Sequence, residues 1–495
     1  MTQGCAYLDY AATTPVDPRV AAFLSQVLAE NLGNPGATHS PGRRAAALIA
    51  QARTRVAALI GAAPQDLVFT SGATESNNLA ILGHVRGERA ARRQGGHVLT
   101  LATEHKSVLA PVRRLEHDGL AVSLLRPDAA GLLSPQALAA ALRPQTLLVT
   151  LLHANNETGV VQDIPALAAV CQERGVALHV DAAQSAGKLP LGVAGIDYLS
   201  FTAHKLGGPQ GVGALYVAPH RYVTLEPQLI GGGQERGLRS GTPATHQIAA
   251  FGLACELAAA EREGNARRLV GLRERLLQGL QDLPGVLLNG DPVRRLPGIL
   301  NLSFPGVEGE SLYSGLAELA LSTGSACNSS SGEPSYVLRA LGRDTQLAQS
   351  SLRFSLGRGT TPAEIDTAIA AVRRELLRLR ALSPAQPPPV GDWLAQGVRV
   401  VTGEAGETRL GTWVRLLLGV DGEFVKAARF QAYGCPHTLA ACQALVAQLP
   451  GRHRAALQPG SPEQWRGAVG APVEKLGRML IIEDALRALQ DAWLN

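Results

Sequence analysis

From Leu48 to Leu379 the chain alternates segments of amphipathic helical pattern with short apolar runs, among them Leu67 to Phe69, His97 to Leu101, Leu147 to Leu152 and Ala177 to Val180. This alternation predicts an α/β fold built on a mainly parallel sheet. In such sheets ligands collect beyond the carboxyl ends of the strands, so the residues after each apolar run are the first place to look for chemistry. At 495 residues the chain exceeds one ordinary domain, which predicts one large enzyme core with subdomains and an additional small module. The Pro-rich stretch Ser383 to Gly391, SPAQPPPVG, reads as a stiff extended linker between the core and a tail of residues 392–495.

Charge excludes some classes of function. Forty-six Lys and Arg against 41 Asp and Glu leave a formal charge of +5, too mild and too dispersed for a nucleic-acid binder. The basic cluster Arg86 to Arg93 reads as a solvated helix face. Met1 to Tyr10 carries no leader pattern, and nowhere do about 18 apolar residues run together, so a soluble, cytoplasmic protein without membrane contact is expected. The six cysteines stand singly and do not form a disulfide framework.

Polar motifs follow several of the apolar runs. VDAAQSAGK (Val180 to Lys188) and DYLSFTAHKLGGPQGVG (Asp197 to Gly213) supply Asp181 and Lys205. A primary amine that condenses with an aldehyde and a carboxylate that keeps a pyridine nitrogen protonated are what pyridoxal phosphate (PLP) requires. Taken alone, such a Lys is usually a surface residue and such an Asp a helix cap. FTSGATESNN (Phe69 to Asn78) runs from a strand end through small residues into a helix, a suitable seat for the cofactor phosphate, although in isolation a plain helix cap at Ser71 or Thr74 explains it. TEHKSV (Thr103 to Val108) and HANNETG (His153 to Gly159) add an imidazole able to stack on a ring and an amide able to donate to a phenolate oxygen.

Two further motifs point to the substrate. In LSTGSACNSSSGEPSYVLRALG (Leu321 to Gly342), Cys327 lies among small and hydroxyl-bearing residues, as suits a loop that carries a thiolate to substrate and then outward. Cys171 and Cys255 fall in helical apolar patterns and read as inert core thiols. SSLRFSLGR (Ser350 to Arg358) puts Arg353 in a strand, where a guanidinium can hold a carboxylate bidentately or simply form an ordinary ion pair.

Together with YLDYAATTPVDPRV (Tyr7 to Val20), NNETGVVQDI and GGGQERGLRSGT, these motifs resemble the NifS/IscS-type cysteine desulfurases, PLP enzymes of fold type I, across nearly all of residues 5–382. The resemblance implies a large PLP domain at about 15–260, with a smaller α+β domain from 1–14 and about 261–382. It implies that Lys205 holds PLP, Asp181 faces the pyridine nitrogen, His105 stacks on the ring, and Asn156 with Gln184 contacts the phenolic oxygen. Ala73, Thr74, Thr202 and His204 would bind the phosphate, with Thr242 contributed by the second subunit of a homodimer. Cys327 would take the sulfur of L-cysteine as a persulfide, leaving alanine, and Arg353 would anchor the substrate carboxylate beside Asn156. Sulfur would pass to acceptor proteins serving iron–sulfur assembly or thiolation. Another type I PLP lyase or aminotransferase, with Cys327 incidental, is the competing reading.

The tail resembles the IscU/NifU N-terminal scaffold through Gly411 to Arg452 and LIIEDALRAL (Leu480 to Leu489). That scaffold needs three cysteines, and only Cys435 matches; Arg478 stands at the downstream position. One thiol cannot hold a cluster, so no metal site is expected. The tail reads as a degenerate α+β module in which Cys435 either accepts sulfur or stands in a docking surface.

Overall fold

The computed structural model describes residues 5–92, 95–323, 333–458 and 460–494. After a short strand β1 (Ala6–Tyr7), the larger lobe takes β2 (Leu67–Thr70), β3 (His97–Leu101), β4 (Ala121–Leu125), β5 (Thr146–Leu152), β6 (Ala177–Asp181), β7 (Tyr198–Thr202) and β8 (Gly213–Val217). These last seven form one sheet in the order β2-β8-β7-β6-β5-β3-β4. Its neighbours pair in parallel except where β8 runs antiparallel to both β2 and β7. The expected mainly parallel α/β architecture is therefore present, with the carboxyl ends of β2, β3, β5, β6 and β7 along one edge.

Every residue of β3, β5, β6, β7 and β8 is buried, because helices cover both faces, and this explains runs of apolar side chains rather than alternation. The polar exceptions satisfy one another across the sheet. Thr150 Oγ1 meets His179 Nδ1 at 2.7 Å, and His179 Nε2 meets Ser200 Oγ at 2.9 Å. Burial pushes the His179 imidazole down to about 3, so it stays neutral within this chain of hydrogen bonds.

A 34-residue helix, Thr245–Gln278, leads from the larger lobe into the smaller one. The division expected near residue 260 thus falls inside one continuous helix. The smaller lobe contains β9 (Leu287–Leu288), β10 (Ile299–Ser303), β11 (Leu319–Ala320), β12 (Ser322–Thr323) and β13 (Ser351–Ser355). Its antiparallel sheet has the order β12-β13-β10-β9, while β1 pairs in parallel with β11. The first described residues are therefore woven into the smaller lobe, and the chain crosses from it to the larger one through Tyr10 to Thr14.

Beyond the helix Pro362–Ala381, the tail forms an antiparallel meander of β14 (Arg399–Glu407), β15 (Thr412–Asp421) and β16 (Phe424–Tyr433), covered by helices Pro436–Gln448 and Leu476–Leu494. The Pro-rich stretch is not an extended spacer. It begins with a turn closed by Gln386 N–H on Ser383 O, and Gln431 Nε2 donates to the carbonyls of Gln386 and Pro387 at 3.2 and 3.3 Å. Nor does the module stand apart, since its apolar core is continuous with that of the smaller lobe. No described helix is long and apolar enough to cross a membrane.

One close approach governs the edge where chemistry is expected. Gly72 has φ +153°, and a Cβ on Gly213, at the start of β8, would lie 2.7 Å from both Gly72 Cα and Phe201 O. Both obstacles are backbone, so neither can rotate away. Gly213→Ala is expected to lower unfolding stability by about 1–3 kcal/mol, measured by chemical denaturation, while the same change at exposed Gly264, inside the helix Thr245–Gln278 with nothing within 4 Å, raises it by about 0.5–1 kcal/mol.

Candidate active site

A cavity of about 580 Å³ opens at the carboxyl edge of the larger sheet and reaches β13 of the smaller lobe. It gathers Ala73, Thr74, His105, Asn156, Asp181, Gln184, Thr202, His204, Lys205 and Arg353, ten of the residues singled out by motif. They come from the ends of five strands of the larger sheet or the turns that follow them, and, for Arg353, from the middle of β13. Asp181 is the last residue of β6, Thr202 the last of β7, and Lys205 ends the short turn that follows. His105 caps the helix Lys106–His117, and Ala73 opens the helical segment after β2.

Asp181 is buried and held from two sides. Asn77 Nδ2 donates to its Oδ2 at 2.7 Å, and the Ala183 amide donates to Oδ1 at 2.9 Å. Asn77 also donates to Ser107 Oγ at 2.9 Å, which ties the carboxylate to the His105 turn. The Ser107 amide donates to His105 Nδ1 at 3.1 Å, so the neutral ring carries its proton on Nε2. Burial holds His105 below the ordinary imidazole range, despite the opposing pull of Asp181.

Lys205 Nζ donates to the carbonyls of Ala11 and Ala12, the latter at 2.8 Å. Gln184 Nε2 donates to the same Ala11 carbonyl at 2.8 Å. His204 shares a hydrogen bond with Thr13 Oγ1 at 3.1 Å, and burial, reinforced by Lys205 and Lys188, pushes it down to about 4. Arg353 donates through Nη1 to Asn156 O at 2.9 Å and through Nη2 to Asp9 Oδ1 at 2.7 Å. Among the described residues its buried Nε has no hydrogen-bond partner, an expensive arrangement unless a ligand accepts from it.

Two predicted residues lie elsewhere. Thr242 lines a separate hollow with Leu28, Gly33 and Pro35, and does not reach the Lys205 cavity of its own chain. Cys435 is fully buried at the start of helix Pro436–Gln448, 3.4 Å from Thr438 Oγ1 and against the Arg478 guanidinium. Cys327 lies outside the described residues. Cys171 and Cys255 are buried as expected, and burial drives the Cys171 thiol up to about 12.

The motif reading passed over the residues that hold the site together. Asn77, Asp9 and Ser107 stand inside quoted motifs but bond to other site residues rather than opening into chemistry themselves. Glu104 and Glu157 are further examples. The Glu157 carboxylate accepts from Ser335 Oγ, and Tyr336 OH donates to Glu104 O at 2.7 Å, so both motif loops grip the chain where the helix Tyr336–Ala340 begins.

The donor set fits PLP. A primary amine, a buried carboxylate, an imidazole, clustered hydroxyl and amide groups and a guanidinium with an unsatisfied buried N–H converge on one cavity. The aminotransferase class-V family profile matches residues 6–367. A cysteine desulfurase IscS of Serratia proteamaculans is 50% identical over 399 residues, covering 80% of this chain and 97% of the relative. One of Photorhabdus laumondii is 51% identical over 383 residues, covering 76% and 94%. A solved NifS-like protein superposes with a TM-score of 0.69 at 32% identity, covering 76% of this chain and 99% of its own. The chain belongs to the aminotransferase class-V family of PLP enzymes. Within it, the chain is a NifS/IscS-type cysteine desulfurase, which uses PLP to take sulfur from L-cysteine and passes that sulfur to acceptors.

Glu157 links the site to pH. Burial raises its carboxyl from the ordinary 4.5 to about 7, with Ser335 and Arg353 opposing the rise. The folded chain therefore retains a proton that the unfolded chain has lost, and the stability this contributes is present below about pH 4.5 and drains away as pH rises through about 7. Glu157→Gln keeps an acceptor for Ser335 without the ionisation. Relative to its own stability at about pH 5, the variant is expected to retain about 1–3 kcal/mol more than the parent at about pH 8, read from denaturation midpoints at each pH.

Proposed function

We propose that the ten clustered residues divide the desulfurase reaction as follows. Lys205 bonds covalently to PLP, Asp181 faces the pyridine nitrogen, and His105 stacks on the ring. Asn156 and Gln184 contact the phenolic oxygen, while Ala73, Thr74, Thr202 and His204 hold the phosphate. When bound, PLP supplies an electron sink for the pair released at the substrate Cα. The observation that carries this assignment is the convergence of Lys205, Asp181 and Arg353 on one cavity from separate strands.

Arg353 anchors the carboxylate of L-cysteine, supported by its burial and its unsatisfied Nε. The Lys205 amine, seated on two backbone carbonyls at the cavity wall, would move the proton at the substrate Cα. Cys327 then takes the substrate sulfur. An S–S bond forms as the Cβ–S bond breaks, so that one thiol enzyme and one cysteine become one persulfide and one alanine without an external oxidant. The persulfide passes to a partner protein of iron–sulfur assembly or thiolation. A cytoplasmic setting, where thiols stay reduced, suits the five described cysteines, all of them free.

The working form in this reading is a homodimer. The separation of Thr242 from the Lys205 cavity supports its serving the neighbouring subunit's phosphate group instead. We read the tail as a degenerate IscU/NifU-N-like module. Arg478, at the position of a missing cluster ligand, pairs with Glu308 of the smaller lobe at 3.3 Å, and Ser311 Oγ donates to Gly434 O at 2.7 Å. Full burial of Cys435 at this contact supports docking or regulation over sulfur relay.

Cys327→Ala is expected to lower alanine formation by about 10³-fold or more while leaving the visible absorption of bound PLP intact. Loss of that absorption in Lys205→Ala completes the test. Retained activity in Cys327→Ala would favour the lyase or aminotransferase reading. In the parent enzyme given cysteine without reductant, mass spectrometry is expected to find the extra sulfur on Cys327 and none on Cys435.

A further inference from the structure

Lys188 stands in the wall between two cavities. Gln184 lines the cavity that holds Asp181 and Arg353, whereas Lys188 lines a second cavity of about 390 Å³ on the far side of Lys205. Between them the chain makes one helical turn, with Ala186 N–H on Ala182 O at 2.9 Å and Leu189 N–H on Ser185 O at 3.0 Å. That turn puts Gln184 and Lys188 on one face. Lys188 Nζ donates to Gln184 Oε1 at 3.3 Å, and Gln184 Nε2 donates to the Ala11 carbonyl that also accepts from Lys205. Burial, reinforced by the positive charges of Lys205 and Arg353, brings Lys188 down to about 7. A half-buried lysine beside two cations is costly to keep unless it performs some task.

The task follows from the asymmetry of an amide. Gln184 has one end that accepts and one that donates, whereas a lysine amine offers donor hydrogens whether charged or neutral. With Lys188 donating behind it, the amide keeps its oxygen backward and its nitrogen forward. The Ala11 carbonyl, which can accept from Lys205 and Gln184 together, holds the same orientation from the other end.

We propose that Lys188 is a positioning residue for the desulfurase reaction, orienting the Gln184 amide so that its nitrogen faces the reaction cavity. This rests on the reading of Gln184 as a donor to the cofactor's phenolic oxygen. Without Lys188 only the Ala11 carbonyl holds the nitrogen forward, and a flipped amide would set an acceptor oxygen against that electron-rich atom. Lys188 itself touches neither substrate nor cofactor, so its effect passes entirely through Gln184.

The test uses the PLP-loaded full chain with Lys188→Met, Lys188→Arg, Gln184→Ala and the Lys188→Met/Gln184→Ala pair. Three quantities are read: the PLP dissociation constant, the pH midpoint of the cofactor's visible absorption change, and kcat with KM for cysteine. Lys188→Met is expected to weaken PLP binding about tenfold, the loss of roughly one hydrogen bond. It should displace the absorption midpoint in the same direction as Gln184→Ala and lower kcat, with KM changed less than about twofold. Lys188→Arg, still a donor only, restores the parent midpoint, and the double variant is no worse than Gln184→Ala alone. A parent-like midpoint in Lys188→Met, with a shifted one in Gln184→Ala, overturns the proposal and leaves the Gln184 contact standing. A silent Gln184→Ala overturns that contact and the proposal together. Additive losses in the double variant also overturn it, since they mark a packing role. Should the Met variant not fold, Lys188→Gln replaces it in every comparison.

Discussion

A buried carboxylate at the end of a parallel strand is the constraint around which this enzyme is organised. Beneath the surface, both oxygens of Asp181 are satisfied, by Asn77 and by the Ala183 amide, and each donor fixes a neighbouring element. Asn77 belongs to the helical segment after β2 and reaches Ser107 in the cap of the His105 helix. The groups read as contacting ring nitrogen, ring face and phosphate are thus joined by two hydrogen bonds. A shift in one is felt by all three.

The second organising feature is the crossing of the chain from the smaller lobe to the larger. The segment Asp9 to Thr14 offers bare carbonyls and short side chains to the cavity: Asp9 to Arg353, Ala11 to Lys205 and Gln184, Thr13 to His204. The groups read as substrate anchor and cofactor amine, Arg353 and Lys205, come from different lobes, and this stretch of backbone sets the distance between them. Burial pushes His153 and His204 down to about 4 and holds His105 below its ordinary value. Positive charge at the cavity is therefore carried by the Arg353 guanidinium rather than by imidazolium.

The C-terminal module is attached more intimately than a linker-borne domain. Its core runs into that of the smaller lobe, and Lys475 pairs with Glu310 at 2.5 Å beside the Arg478–Glu308 contact. These pairs are partly exposed, so they contribute specificity of docking more than stability, and the apolar burial holds the module in place.

The residues by themselves determined the fold class and most of the site. Parallel strands covered on both faces must be apolar throughout, so β3, β5 and β6 announced themselves as runs, and chemistry had to follow their ends. Lys205, Asp181, His105 and Arg353 were legible because their side chains differ so sharply from the runs before them. The partners were not legible, because a hydrogen bond such as Asn77 to Asp181 spans 104 residues and leaves no local pattern. The same holds for the backbone carbonyl of Ala11, which has no signature at all in a sequence. Tertiary structure alone decided that a Pro-rich stretch would lie on its module and that Cys435 would be sealed at a contact. Each depends on which surfaces meet, and that is set by the summed burial of distant apolar groups rather than by any neighbouring residue.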